Sequence, residues 1–525
     1  MSDKPHSAGE AAVPLATLSP PAEPPKEKNS TYGQILKSTA LVGGSQVINI
    51  GIGIVRTKAM AVLLGPAGFG LMGLYSSISD LTQAVAGLGI NSSGVRQMAE
   101  AAGSGDTERL ARTATVLRRT SIGVGLLGAL ILLLFAGPIS QLTFGGAERR
   151  AGVALLAAAV FLQLVAGGQG ALIQGMRRIG DLARMNVIGA VFGALASILF
   201  VYFFREDGVV PALVAVAGMS LLSSWWFSRK IQVKRPKLGL PQIRQETQGL
   251  LGLGLAFMAS GLMTMGSAYV VRIIISNQLG LSATGLYQAA WTLGGLYVGL
   301  VLQAMGADFY PRLTAVAHNH PRCNELVNEQ AQVNLLLAGP GVLGTLVFAP
   351  IVLNVFYAPQ FAQAVDTLRW ICLGIAMRVI GWPLGYILIA KGEKRLFFLS
   401  DLFWTVAHLG LAWILVGRFG LAGTGMAFFG AYLMHASLNY FLARHLTKFR
   451  WTSVNFGLGT YFAAAVMVAL TVSMSLPALE GMVVGAVLAG VAAIYSLKRI
   501  SKLTGPLVLP SSVQSRLTKI FGGVR

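Results

Sequence analysis

Four basic side chains fall inside stretches that are otherwise apolar: Arg56, Lys58, Arg272 and Arg378. A charge at mid-bilayer depth costs about 2.5–3.5 kcal/mol, so each asks for a partner, a wet cavity or a way back to the interface. A guanidinium presents a planar fork of donors that suits phosphate or carboxylate oxygens bidentately. Arg378 lies near the middle of its stretch, and Arg56 and Arg272 lie toward corresponding ends of theirs. Lys58 is off the Arg56 stripe and is expected to extend to the interface. Helical spacing gives these charges polar company. Gln46, Asn49, Gly53 and Arg56 share one stripe, as do Gly261, Thr264, Ala268 and Arg272. Ser76, Asp80, Gln83 and Gly87 form a third, and Gln288, Thr292 and Gly295 a fourth. Three arginines against one acid predict a cationic cavity that accepts an anionic head group. Asp80 reads equally as an ion-pair partner or as a proton- or cation-coupling group. His408 and His435 are expected as hydrogen-bond partners between helices.

The elements that position these residues are membrane spans. The 525 residues are 54% apolar and 12% charged, with 64 Gly and a mean hydropathy of +0.65. A soluble domain carries roughly 25% charged residues, so this composition excludes a soluble enzyme, a disordered scaffold and a disulfide-rich secreted domain. Requiring about 20 mostly apolar residues per crossing gives fourteen spans: 37–62, 67–90, 119–143, 151–173, 185–204, 209–227, 249–277, 284–306, 331–355, 367–390, 396–417, 420–442, 455–475 and 480–497. Of the 41 Lys and Arg, 32 fall on the side of the amino terminus if the loops alternate. By the positive-inside rule both termini are then cytoplasmic, and the net charge of +21 is a topology signal rather than a nucleic-acid footprint. Residues 1–32 read as a disordered cytoplasmic tail without a signal peptide, and 501–525 as a second tail whose last fifteen residues could form an interfacial helix. Cys323 and Cys372 offer no metal or redox motif. No metal site, cofactor or catalytic group is expected, and no GxxxxGK[ST] motif is present.

The chain repeats at an offset near 215 residues. LGPAGFGL at 64–71 precedes the second span and LGLSATGL at 279–286 the eighth; GMRRIGDLARMN at 175–186 is echoed by GEKRLFFLSDLF at 392–403. An even number of spans separates the copies, so the halves should be related by an axis along the membrane normal. The expected fold is an all-α polytopic membrane protein of about fourteen helices. It divides into an N-lobe (33–230), a basic linker (231–247), a C-lobe (248–445) and a terminal pair (446–500).

ILKSTALVGGSQVINIGIGIVRTKAMAVLLGPAGFGLMGLY near the start, DFYPRLTAVAHNHPRCNELVNEQ at 308–330 and VFYAPQFAQAVDTLRWICLG at 355–374 resemble the Wzx-type O-antigen and lipid III flippases. That family lies within the multidrug/oligosaccharidyl-lipid/polysaccharide exporter superfamily. The resemblance runs from about 33 to 445. It implies two six-helix lobes and an undecaprenyl-diphosphate oligosaccharide as substrate, moved from the inner to the outer leaflet of the cell inner membrane by alternating access. It also implies a glycan polymerase and a chain-length regulator as partners beside membrane lipid, and a lipid portal near spans 1 and 8. On this reading Arg56, Arg272 and Arg378 neutralise the diphosphate, while Gln46, Asn49, Gln83 and Gln288 hydrogen-bond sugars or water. Many relatives have twelve spans, so the last pair departs from the pattern. A drug or cation antiporter would favour acidic cavity residues, of which only Asp80 is present. A membrane glycan polymerase or glycosyltransferase would need acidic residues in sizeable outer loops, and these loops are short.

Overall fold

The computed structural model describes residues 28–231 and 240–504, and every element in them is helical. The tail at 1–27, the linker at 232–239 and the last 21 residues, including the interfacial helix expected there, lie outside the described residues.

α1 (Lys28–Ala86) is two arms meeting at Gly65, and α7 (Leu240–Ala315) is two arms meeting at Gly280, after α2 (Ile90–Gly103), α3 (Thr107–Phe144), α4 (Arg150–Gly175), α5 (Ile179–Phe204) and α6 (Val209–Ser228). α8 (His320–Val347) bends by 78° into α9 (Ala349–Phe356). Then follow α10 (Val365–Ala390), α11 (Lys394–Phe419), α12 (Ala422–Thr447), α13 (Ser453–Ser475) and α14 (Ala478–Thr504). With each arm of α1 and α7 counted as a crossing and α8–α9 as one, the fourteen expected spans each have a helix. Two six-helix lobes and a terminal pair result. Two features escape the hydropathy pattern. The loop after the second span is largely the helix α2, and α3 begins at Thr107 rather than near 119. The latter start is capped by Asp106, whose carboxylate accepts from the backbone N–H of Arg109 (3.0 Å) and Glu108 (2.8 Å). Those bonds hold it below the usual carboxylate range.

The repeat has a fixed register. Gly65 and Gly280, the starts and ends of α4 and α10, and those of α5 and α11 are all separated by 215 residues (280 − 65, 365 − 150, 394 − 179). Gly65 (φ 64°, ψ −175°) and Gly280 (φ 87°, ψ 176°) occupy backbone conformations open essentially to glycine alone. These elbows let each first arm turn into the next crossing without leaving a loop.

The two elbows also meet each other reciprocally. A Cβ on Gly70 would stand 2.1 Å from Leu281 O, and one on Gly285 1.9 Å from Pro66 O. Other lobe-to-lobe contacts gather at this end of the bundle. Phe69 sits edge-on to Tyr357 (5.6 Å) and Phe361 (5.7 Å). Thr143 and Tyr269 share a hydrogen bond of 2.5 Å. Lys58 donates to Val355 O (2.6 Å) and Asn354 O (3.3 Å), the carbonyls that close α9. The lysine expected to reach for the interface therefore ties one lobe to the other.

The terminal pair docks on α8 through Asn328 and Asn455. Asn328 donates to Arg450 O (3.1 Å) and accepts from Thr452 N (3.0 Å) and Asn455 Nδ2 (2.9 Å). The two asparagines are buried, so removing one strands the polar groups of the other.

Gly70→Val or Gly285→Val should destabilise the protein by about 1–3 kcal/mol through overpacking, and should lengthen a spin-label distance across the elbow end. Asn328→Leu should cost about 1–3 kcal/mol, read as a lowered thermal midpoint and as proteolytic release of α13–α14 before the lobes.

Candidate functional site

Among the described residues, each lobe holds a polar cavity between its membrane-spanning helices. Arg56 lies nine residues before Gly65 and Arg378 thirteen after the start of α10. That is roughly 14 and 20 Å from the elbow end at 1.5 Å per residue, inside a core of about 30 Å.

The N-lobe cavity, about 470 Å³, lies among α1, α2, α4, α5 and α6. Asn49, Arg56, Gln83, Asn91, Gln163 and Asn186 contribute polar groups, with three serines of α6 beside them, and Gly and Ala residues form much of the remaining wall. Small residues leave room between the helices, and carboxamides solvate a charge without adding one. Arg56 Nε donates to Ser197 Oγ (3.0 Å), and its terminal nitrogens make no hydrogen bond or ion pair with the described residues. Among the described residues no acid lines this cavity.

A second, apolar groove of about 410 Å³ adjoins it between α1 and α5. Ile52 and Ala194 line both spaces. Ile48, Val55 and Leu195, more than half exposed, face outward from the groove.

The C-lobe cavity, about 320 Å³, is enclosed by α7, α10, α11 and α12. The Arg378 guanidinium lies 4.4 Å over the Trp382 ring and 5.7 Å from that of Tyr432. Asp401, Trp404 and Tyr386 share the walls. Ser400 Oγ donates to Asn439 Oδ1 (2.8 Å) and stands 3.0 Å from His435 Nε2, so His435 links α12 to α11. His408 stacks on Trp404 at 5.2 Å, and its Nδ1 has no partner.

The two cavities are counterparts. At the 215-residue offset Gln163 corresponds to Arg378, Gly167 to Trp382, Asn186 to Asp401, Gly189 to Trp404 and Ser220 to His435, each pair lining its own lobe's cavity. One copy carries amides and small residues where the other carries charges and aromatic rings.

The predicted site residues divide among three places. Arg56, Asn49 and Gln83 come together in the N-lobe, and Arg378 stands alone of the predicted set in the C-lobe cavity. Arg272, only 8% exposed, lines neither; its Nε donates to Gln288 Oε1 (2.8 Å) and its Nη1 to Ala268 O (2.8 Å). Gln288 rests on Gly73 of the opposite lobe, so this pair sits in the seam between lobes. Asp80 is exposed, close enough to Arg272 for their charges to interact, and forms no direct ion pair with it. Gln46 is exposed and lines neither cavity. Arg272 is buried, and Arg56 and Arg378 are half-buried, each lining its own lobe's cavity. Gln163, Asn186, Asp401, Trp382 and Trp404 were not foreseen; laying spans 4 and 5 over spans 10 and 11 at the repeat offset would have paired them. Among the described residues no group of three His, Cys, Asp or Glu side chains could hold a metal ion, and both cysteines are free and buried.

The family model described as "Polysaccharide biosynthesis protein" matches residues 59–366, more than half of the chain, and the chain belongs to that family. It is 23% identical over 416 residues to the "Lipid III flippase" of Escherichia coli (strain K12), covering 77% of this chain and 97% of that one. Among solved structures it is similar to an inward-facing multidrug resistance MATE family transporter of the MOP superfamily (TM-score 0.65, 18% identity, 76% of this chain and 94% of that chain). It is also similar to the lipid II flippase MurJ in an inward closed conformation (TM-score 0.61, 11% identity, 89% and 99%). Residues 1–452 are only 86% of the chain (452/525), so the second likeness extends into α13–α14. The fold is that of a two-lobed helical protein that crosses a membrane many times.

Gln288→Leu should leave Arg272 Nε buried without an acceptor and cost about 1–3 kcal/mol, seen as a lower thermal midpoint that Gln288→Glu does not reproduce.

Proposed function

We propose that the protein moves a polyprenyl-diphosphate-linked oligosaccharide from the cytoplasmic to the outer leaflet of a bacterial inner membrane. One observation carries this reading: a cationic polar cavity opens beside an apolar, outward-facing groove, with Ile52 and Ala194 common to both. A ligand that fills both needs an anionic head and a hydrocarbon tail. The diphosphate binds the free fork of Arg56, with Asn49, Gln83, Gln163 and Asn186 replacing its hydration. The isoprenoid stays against lipid between α1 and α5. This places the tail's exit at α1–α5 rather than at the portal near spans 1 and 8 that the family resemblance implied. Arg272 and Gln288 hold the seam that must loosen when the lobes rock, and Asp80 lies across it from Arg272 without pairing with it.

The need for such a protein is physical. An unassisted diphosphate head would cross hydrocarbon with its charges unsolvated, at a cost of tens of kcal/mol by idealised transfer. The distribution of Lys and Arg supports cytoplasmic termini, which puts the elbow end on the outer side, and the elbow contacts then close that side. A drug or cation antiporter would favour an acid in the N-lobe cavity, and among the described residues none lines it. The "Lipid III flippase" covered over 97% of its length agrees with the lipid-linked class of substrate.

Arg56→Gln, which keeps size and hydrogen bonding while removing charge, should slow translocation of an undecaprenyl-diphosphate oligosaccharide in proteoliposomes by about ten- to a hundredfold. Arg56→Lys should retain more activity. An unchanged rate for Arg56→Gln contradicts the reading.

A further inference from the structure

We infer that the C-lobe cavity is a saccharide pocket that holds a sugar ring of the lipid-linked substrate while the N-lobe cavity holds its phosphates. The inference rests on the proposed lipid-linked substrate and goes beyond it by assigning a site for the sugar.

The argument begins with what the duplication changed. Among the described residues the N-lobe cavity keeps one cation and no acid, which suits an anion. In the C-lobe, Asn186 and Gln163 are replaced by Asp401 and Arg378, one charge of each sign, so an ion gains little there on balance. The cation seat over the rings is already filled, since the Arg378 guanidinium itself lies over Trp382 and near Tyr432. An organic cation would meet that charge directly.

What remains is a cavity with rings on its walls and polar groups short of partners. Arg378 Nε and Trp404 Nε1 are buried donors without an acceptor. Asp401 is an acceptor with no hydrogen bond or ion pair to its carboxylate among the described residues. A buried polar atom left unpaired costs about 1–3 kcal/mol, and two such donors beside a half-buried, unpaired carboxylate suit a ligand that brings both donors and acceptors. A sugar ring does so through its hydroxyls, and its C–H faces pack on aromatic rings. Phosphate brings acceptors alone, and a lipid chain brings neither. At about 320 Å³ the space stands at the small end of the roughly 300–1,000 Å³ typical of ligand sites, sized for one or two rings and not for a long glycan. Gly167 and Gly189 stand where the C-lobe has Trp382 and Trp404, so the N-lobe offers no such ring platforms at the matching positions.

The test uses the full-length protein in lipid nanodiscs and three probes: undecaprenyl diphosphate, the same lipid carrying N-acetylglucosamine, and free hexoses (glucose, galactose, mannose and N-acetylglucosamine). At least one free hexose should change tryptophan fluorescence saturably, and Asp401→Asn and Trp382→Leu should each weaken that response by about tenfold. The same variants should weaken the sugar-bearing lipid and leave the sugar-free lipid within twofold, whereas Arg56→Gln should weaken both lipids and leave the hexose response in place. If no hexose gives a response, or if Asp401→Asn and Trp382→Leu act equally on both lipids, the saccharide pocket is wrong. If instead Arg56→Gln leaves both lipids bound as before, the lipid-head reading fails and the hexose result still decides the pocket. Trp404→Phe, which keeps the ring platform and removes only Nε1–H, serves where Trp382→Leu does not fold.

Discussion

A guanidinium held within a membrane-spanning helix without a carboxylate partner among the described residues is the constraint around which the N-lobe is organised. Neutralising Arg56 with a buried acid would lower its cost and also cancel the field that an anionic head would feel. The protein instead spreads that cost. Ser197 satisfies Nε, carboxamides line the cavity, and the terminal nitrogens are left for something else. Small residues along α4 and α5 provide the space. Each of these choices weakens helix packing locally, and the dense contact at the elbows supplies firm packing elsewhere.

Duplication explains how two specialised cavities arose from one frame. The register of 215 residues is kept where geometry is unforgiving, at the elbow glycines and across α4–α5 and α10–α11. It is relaxed where side chains face a cavity. A backbone turn that only glycine can make leaves no freedom, while a wall position can pass from Gly to Trp as long as the opening changes with it. The lobes share a scaffold and differ in chemistry for that reason.

Much of the fold was legible in the sequence, because a span announces itself by apolar length and a repeat by its turn residues. Gly65 and Gly280 stood out in LGPAGFGL and LGLSATGL before their backbone was known. α2 was not legible, since a short helix with Arg96 and Glu100 on one side looks like any polar loop. The site was read only in part. Stripes on spans 1 and 2 located Asn49, Arg56 and Gln83, but the same method gave Arg272 the same weight as Arg56. Spacing along one helix cannot say whether an arginine faces a cavity or a glutamine on the next arm. Asp401 and the two tryptophans were passed over for a related reason. Single acids and aromatic residues along a span carry no stripe of their own until the neighbouring helices are in place.

The most direct test of the central claim is a structure of the protein in nanodiscs with undecaprenyl diphosphate bound. The account predicts diphosphate density against the Arg56 guanidinium and isoprenoid density leaving between α1 and α5 past Ile52 and Ala194. Diphosphate density at the Arg272–Gln288 seam, with the α1–α5 groove filled by ordinary lipid, would contradict it.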